Sequence, residues 1–574
     1  MTEAGRFAKI LLILPIFMYS FITVSCSFEE NNVELDSAQI TEVVPPNILL
    51  ILADDLGFSD LGEYGGEINT PTLDTLANQG VKFSNFYTAP ICSFTRAMLL
   101  SGVDNHLSGL GGFDSEGIGL GTVQVGYEGY LNFRVASIAE LLQDADYHTI
   151  MTGKWHLGLE EDQVPHSRGF DQTYVMPRGS SSHYSELAAS SKIPTTIYLE
   201  NGEEVALPDD FYSTKTYTDK MIEYLDNIKD DKPFFAFASY TAPHWPLQAP
   251  DEFIEKYEGK YDNGYDEIMH SRLQKMLKLG LISEIPNDFP RSPMAMDWND
   301  LNQGQKTKES KNMAVYAAMV EAMDFHINRI IENLKASGKL ENTLIIFMSD
   351  NGADGNDPYH IEDNVNWIPE TFTTDTPNLG KPGSFTAYGP GWASVSSAPY
   401  KLHKAFSSEG GIKVPAFIVW PNNIVRKTSF EDAFATVLDI VPTLLDVAGV
   451  SYPTNKFRDR ELFPLQGRSL LPYLTGQEET IDNQSAMGWE LFGRKAIRKG
   501  DWKIIDNNKP FGEGNWELYN IKIDPFERND LSAIEPQKLS DMVKLWDQYA
   551  EKNGVIQSGY ADVPYSNKNN HYSR

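Results

Sequence analysis

Cysteine is nearly absent from this sequence, which has two, Cys26 and Cys92, in 574 residues. Basic residues are scarce as well, because 48 Lys and Arg stand against 80 Asp and Glu, which gives a formal net charge of −32. A surface with this charge repels nucleic acids and anionic membranes, so we expect no nucleic-acid partner. A small anionic ligand remains compatible with the charge if it enters a locally basic pocket.

Long apolar runs are missing too, except at the N-terminus. There Arg6 and Lys9 precede the run ILLILPIFMYSFITVSC, which ends at small residues. An apolar run behind basic residues at the start of a chain is typical of an export signal, and this one is somewhat short for a membrane span. We therefore predict a signal peptide over residues 1–25 and an exported protein.

The end of this run, TVSC, resembles a bacterial lipobox. The resemblance implies that Cys26 becomes the lipidated first residue of the mature protein, although Thr23 stands where Leu is usual. An ordinary signal peptide and an uncleaved anchor are the alternatives. Residues 26–45 then form a polar, lipid-proximal tether. We expect a periplasmic or outer-membrane lipoprotein of a Gram-negative bacterium, which contacts the membrane only through its lipid anchor.

The sequence does contain patterns of buried strands. Hydrophobic residues make up 41% of the chain, as in a well-packed globular protein. The runs PNILLILADDLG (46–57) and NTLIIFMSDNG (342–352) place apolar residues directly before acidic ones, which indicates strands buried on both faces of a parallel sheet. Helical patterns such as 132–145 and 316–337 lie between the strand candidates. This alternation predicts an α/β fold with a large, mostly parallel sheet sandwiched by helices.

The pattern changes after about residue 455. Short alternating strands and turns fill the stretch AMGWELFGRKAIRKGDWKIIDNNKPFGEGNWELYNIKIDPFE, which predicts a small antiparallel sheet with a closing helix. We therefore expect a catalytic domain over residues 46–455 and a small C-terminal α+β subdomain over 456–574. The stretch 354–400 is rich in Asp, Asn, Pro, Gly and Ser, and it is predicted to be a long loop near a strand end.

Polar side chains follow two of the predicted strands. Asp54 and Asp55 end the first strand, and Asp350 and Asn351 end the later one. Ligands of open α/β sheets bind at the carboxyl ends of strands, and oxygen donors without His or Cys suit Ca²⁺ or Mg²⁺ better than zinc. A loop or a helix cap is the alternative for either pair alone. The occurrence of two such pairs favours a metal site.

Basic side chains accompany other strand ends. Lys154 and His156 alternate along a predicted strand, so we expect their side chains to point the same way. Together with His244, Lys404 and Arg96 they would line an anion pocket and supply proton donors. Each of these residues alone is also compatible with a structural or surface role.

Cys92 is the remaining candidate for a functional residue. If Cys26 is lipidated, the exported domain has a single cysteine and no intrachain disulfide. A free cysteine is most often a small core residue. However, Arg96 follows one helical turn later, and a cation and a helix N-terminus both lower the pKa of a thiol. Cys92 is therefore either buried packing or a reactive centre.

A series of motifs then reveals a family resemblance. Over roughly residues 46–540 the sequence contains, in order, PNILLILADDLGFSDLGEYGG, CSFTRAMLLSG, GKWHLG, RGFD, APHWP, SDNG, EGGIKVPAFIVWP and WELYNIKIDPFERNDL. With this order and spacing the chain resembles the type I sulfatases of the alkaline phosphatase superfamily, and most of all the bacterial arylsulfatases. The resemblance implies hydrolysis of sulfate monoesters, either aryl or carbohydrate sulfates.

The resemblance also implies a modified residue and a metal. In that family the corresponding cysteine, here Cys92, is oxidised to formylglycine by a formylglycine-generating or a radical maturation enzyme. One hydroxyl of the hydrated aldehyde attacks sulfur, and the other expels sulfate as the aldehyde forms again. One Ca²⁺ per chain, in preference to Mg²⁺, would be held by Asp54, Asp55, Asp350 and Asn351 together with residue 92.

Roles for the basic residues follow from the same resemblance. Arg96 would position the hydrate and neutralise charge. Lys154, His244 and Lys404 would contact the sulfate, and His244 or Lys404 would protonate the leaving oxygen. His156 would take the proton from the second hydroxyl.

Phe94 departs from the family pattern. Family members that mature by the oxygen-dependent route carry Pro at this position, and the radical route accepts Ala or Pro. Phe94 therefore adds the hypothesis of a catalytically silent lipoprotein that only binds sulfate esters. A phosphonate monoester or phosphodiester hydrolase with the same nucleophile and metal is a further alternative.

Overall fold

The structure, a computed structural model, describes residues 45–112, 124–286, 289, 291–360, 364–425, 430–481, 486–557 and 572. Residues Pro45–Arg574 form one unit. The predicted signal peptide, the tether and Cys26 lie outside the described residues. Within the described ranges, no helix combines the length and the apolar character needed to cross a bilayer.

Strands form the centre of the molecule, and helices surround them. In chain order the strands are β1 (Asn47–Ala53), β2 (Val81–Tyr87), β3 (His148–Lys154), β4 (Gln172–Met176), β5 (Leu187–Ser190), β6 (Ile193–Thr195), β7 (Tyr198–Glu200), β8 (Glu203–Val205), β9 (Phe234–Ser239), β10 (Thr343–Ser349), β11 (Lys413–Val419), β12 (Ala435–Thr436), β13 (Lys456–Phe457), β14 (Arg460–Glu461), β15 (Ala486–Leu491), β16 (Arg494–Lys499), β17 (Trp502–Asp506) and β18 (Glu517–Asn520). The α-helices are α1 (Pro71–Gln79), α2 (Cys92–Ser101), α3 (Asn105–Ser108), α4 (Ile138–Gln143), α5 (Ser213–Asn227), α6 (Asp251–Ile254), α7 (Tyr265–Leu279), α8 (Gln303–Ala336), α9 (Asn364–Thr371), α10 (Gly389–Ser396), α11 (Glu409–Ile412), α12 (Ile440–Ala448), α13 (Leu471–Leu474) and α14 (Pro536–Asn553).

The largest sheet has the strand order β12-β2-β11-β10-β1-β9-β3-β4-β7-β8. Its central strands, from β10 to β4, run parallel, whereas β11 and β7 pair antiparallel with the strands beside them. The central strands are nearly continuous apolar runs because both of their faces are buried. The prediction of a large, mostly parallel sheet is confirmed.

The two faces of this sheet belong to two hydrophobic cores. Along β1, Leu49 and Ile51 face a core that they share with α5 and α8, whereas Leu50 and Leu52 face a core shared with α2, α4 and α12. Successive side chains of a strand point to opposite faces, so a wholly apolar strand needs cover on both sides. The predicted helix sandwich is confirmed.

A second sheet has four antiparallel strands in the order β15-β16-β17-β18. On one face, Ile497 and Ile504 pack with Trp546 of α14. On the other face, Trp489 joins a core of the large sheet, and its Nε1–H donates to the carbonyl oxygen of Thr88 at 2.8 Å. The predicted C-terminal antiparallel sheet with a closing helix is confirmed.

Two local expectations differ from the structure. The pattern 132–145 becomes helical only at α4, because Ser137 and Glu140 form a reciprocal capping box that starts the helix there. The stretch 354–400, predicted to be a loop, contains α10, whose Pro390 lies in the first turn, where the missing N–H removes no helical hydrogen bond. A prediction from Gly and Pro content alone therefore overestimates how much of the stretch 354–400 is loop.

Candidate active site

The carboxyl ends of two neighbouring strands bring the four predicted oxygen ligands together. Because β1 and β10 are parallel and in register, Asp54 and Asp55 leave the sheet beside Asp350 and Asn351. Asn351 Nδ2 donates to Asp55 Oδ1 at 2.7 Å, and the backbone N–H of Asp55 donates to Asp350 Oδ1 at 3.3 Å. All four side chains are buried. They form one acidic group at the edge of the sheet.

This acidic group fits a hard cation. Asp54 Oδ1 and Asn351 Oδ1 are buried and accept no hydrogen bond within the described part of the chain, which is costly for polar atoms that have no other partner. Ligand atoms of Asp54, Asp350 and Cys92 lie within 4.8 Å of one another. Burial and the charge of Asp54 raise the pKa of Asp350 to about 6, and a divalent cation would offset that repulsion. The oxygen-rich donor set suits Ca²⁺.

Cys92 is the first residue of α2 and lies beside the acidic group. It is 3% exposed, and its Sγ lies 3.4 Å from His156 Nδ1. Burial raises the pKa of the Cys92 thiol, and the charges of Lys154 and Lys404 oppose this only in part. The loss of solvent therefore outweighs the neighbouring cations, which favours the neutral form of the thiol. Unmodified Cys92 is a neutral thiol and a weak nucleophile.

Arg96 follows Cys92 by one helical turn and uses all its nitrogens. Nε and Nη2 donate to Asp350 Oδ2 at 3.0 and 2.9 Å. Nη1 donates to the carbonyl oxygen of Lys154 at 2.9 Å and to Ser239 Oγ at 2.6 Å. Arg96 is therefore a fixed cation that orients Asp350 and ties α2 to the ends of β3 and β9. Ser239 is not among the predicted site residues, although the last residue of a predicted parallel strand is a candidate by position.

Lys154 and His156 both reach the site, but by different backbone routes. Lys154 ends β3, and its Nζ donates to Asp54 Oδ2 at 2.7 Å. His156 lies beyond the strand with a φ of 62°, so the prediction that the two residues alternate along one strand is wrong. Gly179 leaves room for the imidazole, since a Cβ there would come within 2.6 Å of His156 Cε1. Burial and the charge of Lys154 hold the pKa of His156 well below its usual range, which keeps the ring neutral.

His244 and Lys404 both contact Asp55. Lys404 Nζ lies 2.8 Å from Asp55 Oδ1 and 2.9 Å from Oδ2, and His244 Nε2 lies 3.5 Å from Oδ2. His244 Nδ1 lies 2.6 Å from the carbonyl oxygen of Trp245, which only accepts hydrogen bonds, so Nδ1 carries a proton and Nε2 is the atom that exchanges one. Burial and the charges of Lys404 and Lys154 lower the pKa of His244 well below its usual range.

A further carboxylate, Asp354, is missed by the sequence analysis. Its Oδ2 accepts a hydrogen bond from Trp245 Nε1 at 2.8 Å and lies 3.1 Å from Lys404 Nζ. Burial opposes its ionisation, but the charge of Lys404 and the hydrogen bonds from Asn356 and Lys404 outweigh burial and lower the pKa of Asp354 to about 2. Its position four residues after Asp350 is the one signal in the sequence.

With a divalent cation bound and the carboxylates ionised, the charge balance of the site would suit a ligand with a single negative charge. The buried carboxylates are Asp54, Asp55, Asp350 and Asp354, and the buried cations are Arg96, Lys154 and Lys404. Acidic groups therefore exceed cations by one, and a divalent cation would reverse this into one positive charge. A sulfate monoester carries one negative charge and would neutralise the loaded site, whereas a phosphate monoester dianion would not.

Phe94 lies apart from these polar groups. It is 1% exposed and packs in a hydrophobic core of the large sheet with Leu99 and Val441. The side chain that departs from the family pattern is therefore accommodated by apolar packing.

The fold and the site together define an α/β protein with buried carboxylates and cations at the carboxyl ends of its central parallel strands. The chain matches the family Sulfatase over residues 46–450, and N-sulphoglucosamine sulphohydrolase, C-terminal, over residues 401–553. The first match covers most of the chain and includes every predicted site residue except Cys26. The chain belongs to the sulfatase family, whose members are sulfuric ester hydrolases of the alkaline phosphatase-like superfamily, and the predicted family is confirmed.

Individual relatives align along most of their length. A sulfatase of Schizosaccharomyces pombe is 40% identical over 523 residues, which cover 89% of this chain and 94% of that protein. The arylsulfatase of Klebsiella aerogenes is 38% identical over 431 residues, which cover 74% of this chain and 91% of that protein. The solved structure of Ps i-CgsB in complex with k-i-k-neocarrahexaose is similar with a TM-score of 0.64 at 25% identity, covering 90% of this chain and 95% of that chain.

Proposed function

We propose that this protein hydrolyses sulfate monoesters through a hydrated formylglycine made from Cys92. The observation that carries the proposal is the position of Cys92, whose Sγ lies among the acidic ligand atoms and 3.4 Å from His156 Nδ1. A buried, neutral thiol is poorly suited to attack an anionic ester. A residue with two hydroxyl groups at the same place would have one oxygen for attack and a second beside a proton acceptor.

We propose Ca²⁺ as the metal of the site, held by Asp54, Asp55, Asp350 and Asn351. Bound there, it would neutralise charge on a sulfate oxygen and on residue 92. The two buried oxygens without hydrogen bonds from described residues, Asp54 Oδ1 and Asn351 Oδ1, support this assignment. Mg²⁺ fits less well, because it demands a stricter geometry and retains more water.

His156 is proposed as the proton acceptor for residue 92. Cys92 Sγ stands in for an oxygen of the hydrated aldehyde, and it is within reach of His156 Nδ1. The low pKa of His156 leaves the imidazole neutral and ready to accept. As the second hydroxyl loses its proton to Nδ1, the carbonyl forms, the bond from carbon to the sulfate oxygen breaks, and sulfate leaves with the electron pair.

The remaining cations are proposed to bind the sulfate group and assist the leaving oxygen. Lys154 and Lys404 hold ammonium groups against Asp54 and Asp55, where they can spread the charge of the reacting sulfate. Arg96 keeps Asp350 in place. Lys404 Nζ would then donate a proton to the departing oxygen, or His244 Nε2 would do so from the protonated form of the ring, since the neutral ring carries its proton on Nδ1.

The substrate class proposed is an aryl or carbohydrate sulfate. The Klebsiella aerogenes relative is an arylsulfatase, and the Ps i-CgsB structure contains a neocarrahexaose. The net charge of −32 makes a small ester a better fit than a long sulfated polymer.

We also propose that the protein is exported and tethered through Cys26, in the periplasm or at the outer membrane of a Gram-negative bacterium. The N-terminal apolar run and TVSC support this. Labelling of the full chain with a fatty acid in a Gram-negative host should depend on Cys26 and disappear in Cys26→Ala. Equal labelling of the two proteins would contradict a lipid at this residue.

The decisive experiment combines a mass measurement with turnover. We expect the peptide that contains Cys92 to carry the aldehyde, and the protein to hydrolyse 4-nitrophenyl sulfate faster than a 4-nitrophenyl phosphonate monoester. Faster turnover of the phosphonate would support the alternative hydrolase. Unmodified cysteine in every host, without turnover, would support the silent sulfate-ester binding protein that Phe94 suggests, and Phe94→Pro should then restore the aldehyde.

A further inference from the structure

Asp354 contacts one of the two candidate proton donors directly and the neighbour of the other. Its Oδ2 accepts a hydrogen bond from Trp245 Nε1 at 2.8 Å and lies 3.1 Å from Lys404 Nζ. Its Oδ1 accepts from the backbone N–H and from Nδ2 of Asn356 at 2.9 and 2.6 Å. Two donors for each oxygen saturate a carboxylate that is 4% exposed, so its position is fixed by its contacts.

The first contact of Asp354 restrains Lys404. A lysine ammonium can rotate about its bonds and has no preferred direction of its own. Here Lys404 Nζ lies between Asp354 and Asp55, and the backbone N–H of Lys404 donates to the carbonyl oxygen of Ala353 at 2.9 Å. The backbone of Lys404 is therefore attached to the segment that carries Asp354. Its ammonium group is held between Asp354 and the acidic group.

The second contact reaches His244 through Trp245. The indole and imidazole rings are packed with centroids 4.5 Å apart, and the opposite neighbour of the indole is Phe385 at 6.2 Å. The hydrogen bond from Nε1 to Asp354 fixes the rotation of the indole. Because the imidazole of His244 packs against that indole, the hydrogen bond also restrains His244. Trp245 thereby transmits the position of Asp354 to the second proton donor.

We propose that Asp354 is a positioning residue for protonation of the leaving oxygen, acting on Lys404 directly and on His244 through Trp245. This inference rests on the proposed function. As the bond from sulfur to the leaving oxygen breaks, the electron pair goes to that oxygen, which takes a proton from the Lys404 ammonium, or from Nε2 of the protonated form of His244, and departs as a neutral alcohol or phenol. The need for this proton grows with the basicity of the leaving oxygen.

The test compares two leaving groups in Asp354→Asn. For phenyl sulfate, whose leaving oxygen is strongly basic, we expect kcat to fall about 10²-fold, the size of a general-acid contribution. For 4-nitrophenyl sulfate, whose leaving group needs little help, we expect less than about a 5-fold change, with KM nearly unchanged for both. Equal losses for the two substrates, or no loss for phenyl sulfate, would overturn the proposal.

Three further variants separate positioning from folding. Trp245→Phe retains an aromatic ring without the N–H, and it should show a smaller loss that is again selective for phenyl sulfate, because Asp354 keeps its contact with Lys404. It therefore also carries the test if Asp354→Asn does not fold. Asp354→Glu restores a carboxylate and should recover part of kcat for phenyl sulfate. Asp439→Asn is the matched control, because Asp439 is a buried carboxylate that accepts from Thr436 and Arg468, and it should affect both substrates equally.

Failure of the proposed function would look different from failure of this inference. A parent protein that hydrolyses neither ester, with cysteine unmodified at residue 92, refutes the sulfatase mechanism and the role of Asp354 with it. The other outcome is a parent that turns over both esters, with variants Asp354→Asn and Trp245→Phe that each lose activity by the same factor for both esters. This outcome refutes the positioning role alone.

Discussion

The protein buries two clusters of charge that are built in opposite ways. The catalytic cluster consists of Asp54, Asp55, Asp350, Asp354, Arg96, Lys154 and Lys404. The interface cluster, located between α11 and the C-terminal sheet, consists of Glu409, Glu527, Lys413, Arg498 and Lys503. All members of both clusters are at most 6% exposed, so burial alone does not distinguish them.

The balance of buried charge does distinguish them. In the interface cluster, Lys503 Nζ lies 2.8 Å from Glu409 Oε1 and 2.7 Å from Glu527 Oε1, and cations outnumber acids. In the catalytic cluster acids outnumber cations, and Asp54 Oδ1 and Asn351 Oδ1 have no hydrogen bond from the described residues. The comparison teaches that an excess of buried carboxylates at the carboxyl ends of parallel strands, rather than buried charge as such, indicates a ligand site.

The strongest way to break this comparison is to remove the residue on which the catalytic cluster converges. Cys92→Ala should lower kcat for 4-nitrophenyl sulfate by on the order of 10⁴-fold or more, because no nucleophile remains. Thermal unfolding should still show a folded protein, since only a small side chain is lost. Activity within tenfold of the parent would show that residue 92 is packing.

A substitution in the interface cluster should lower stability and leave catalysis unchanged. Lys503→Met leaves Glu409 and Glu527 buried without their cation, so we expect the free energy of unfolding to fall by about 3–5 kcal/mol, with kcat of the folded fraction unchanged. Urea unfolding and active-site titration measure the two quantities. The matched control is Lys495→Met in the same sheet, where the partly exposed pair with Asp506 at 3.6 Å should cost less than about 1 kcal/mol.

Asp54→Asn sharpens the comparison from the catalytic side. We expect kcat/KM to fall about 10²–10³-fold, because one ligand of the metal site loses its charge. Stabilisation of the folded protein by added Ca²⁺ should disappear. In the metal-free protein, the relief of carboxylate repulsion should offset part of the cost of losing the buried ion pair between Asp54 and Lys154. Full activity of the parent after exhaustive chelation would contradict a metal in this cluster.

The smallest expected effect is a pH dependence of the free energy of unfolding, which arises at His106 beside the C-terminal sheet. His106 Nδ1 lies 2.8 Å from Asp104 Oδ1, and Nε2 lies 3.9 Å from Glu490 Oε2 of β15. Burial opposes the charged form, but the two carboxylates outweigh burial and raise the pKa of His106 from 6.5 to about 9. A raised folded-state pKa stabilises the fold fully below pH 6.5, and this stabilisation is lost as the pH rises through 9.

We therefore expect the contribution of His106 to the free energy of unfolding to fall by about 2 kcal/mol between pH 7 and pH 9. Urea unfolding at several pH values measures this change. His106→Gln should be less stable at pH 7 and should show a flatter dependence on pH. The same slope in the parent and the variant would contradict the assignment of this titration to His106.

The parts of the site that follow strands were predictable from sequence. An apolar run that ends in Asp54–Asp55, and a second that ends in Asp350–Asn351, specify both the strand and the place of its polar end, because side chains at the carboxyl edge of parallel strands meet. The motifs around Cys92 and Lys404 indicated the protein family. These signals are local, so a single sequence carries them.

Other features depend on contacts that are remote in sequence. Asp354 looks like any acidic loop residue until Trp245 and Lys404 approach it. Ser239 is an ordinary strand residue until Arg96 donates to it. The backbone of His156 turns left-handed beside Gly179, which period-two spacing does not predict.

By itself the sequence determined the parallel sheet, the strand ends that carry the acidic ligands, and membership of the sulfatase family, because each is written in hydrophobic periodicity or in motifs of a few residues. Only the tertiary structure decided the protonation of Cys92 and His156 and the attachment of Lys404 to Asp354. Those properties depend on how completely solvent is excluded and on which distant charges face each group. Burial and electrostatic interaction arise from the whole fold and not from any one segment.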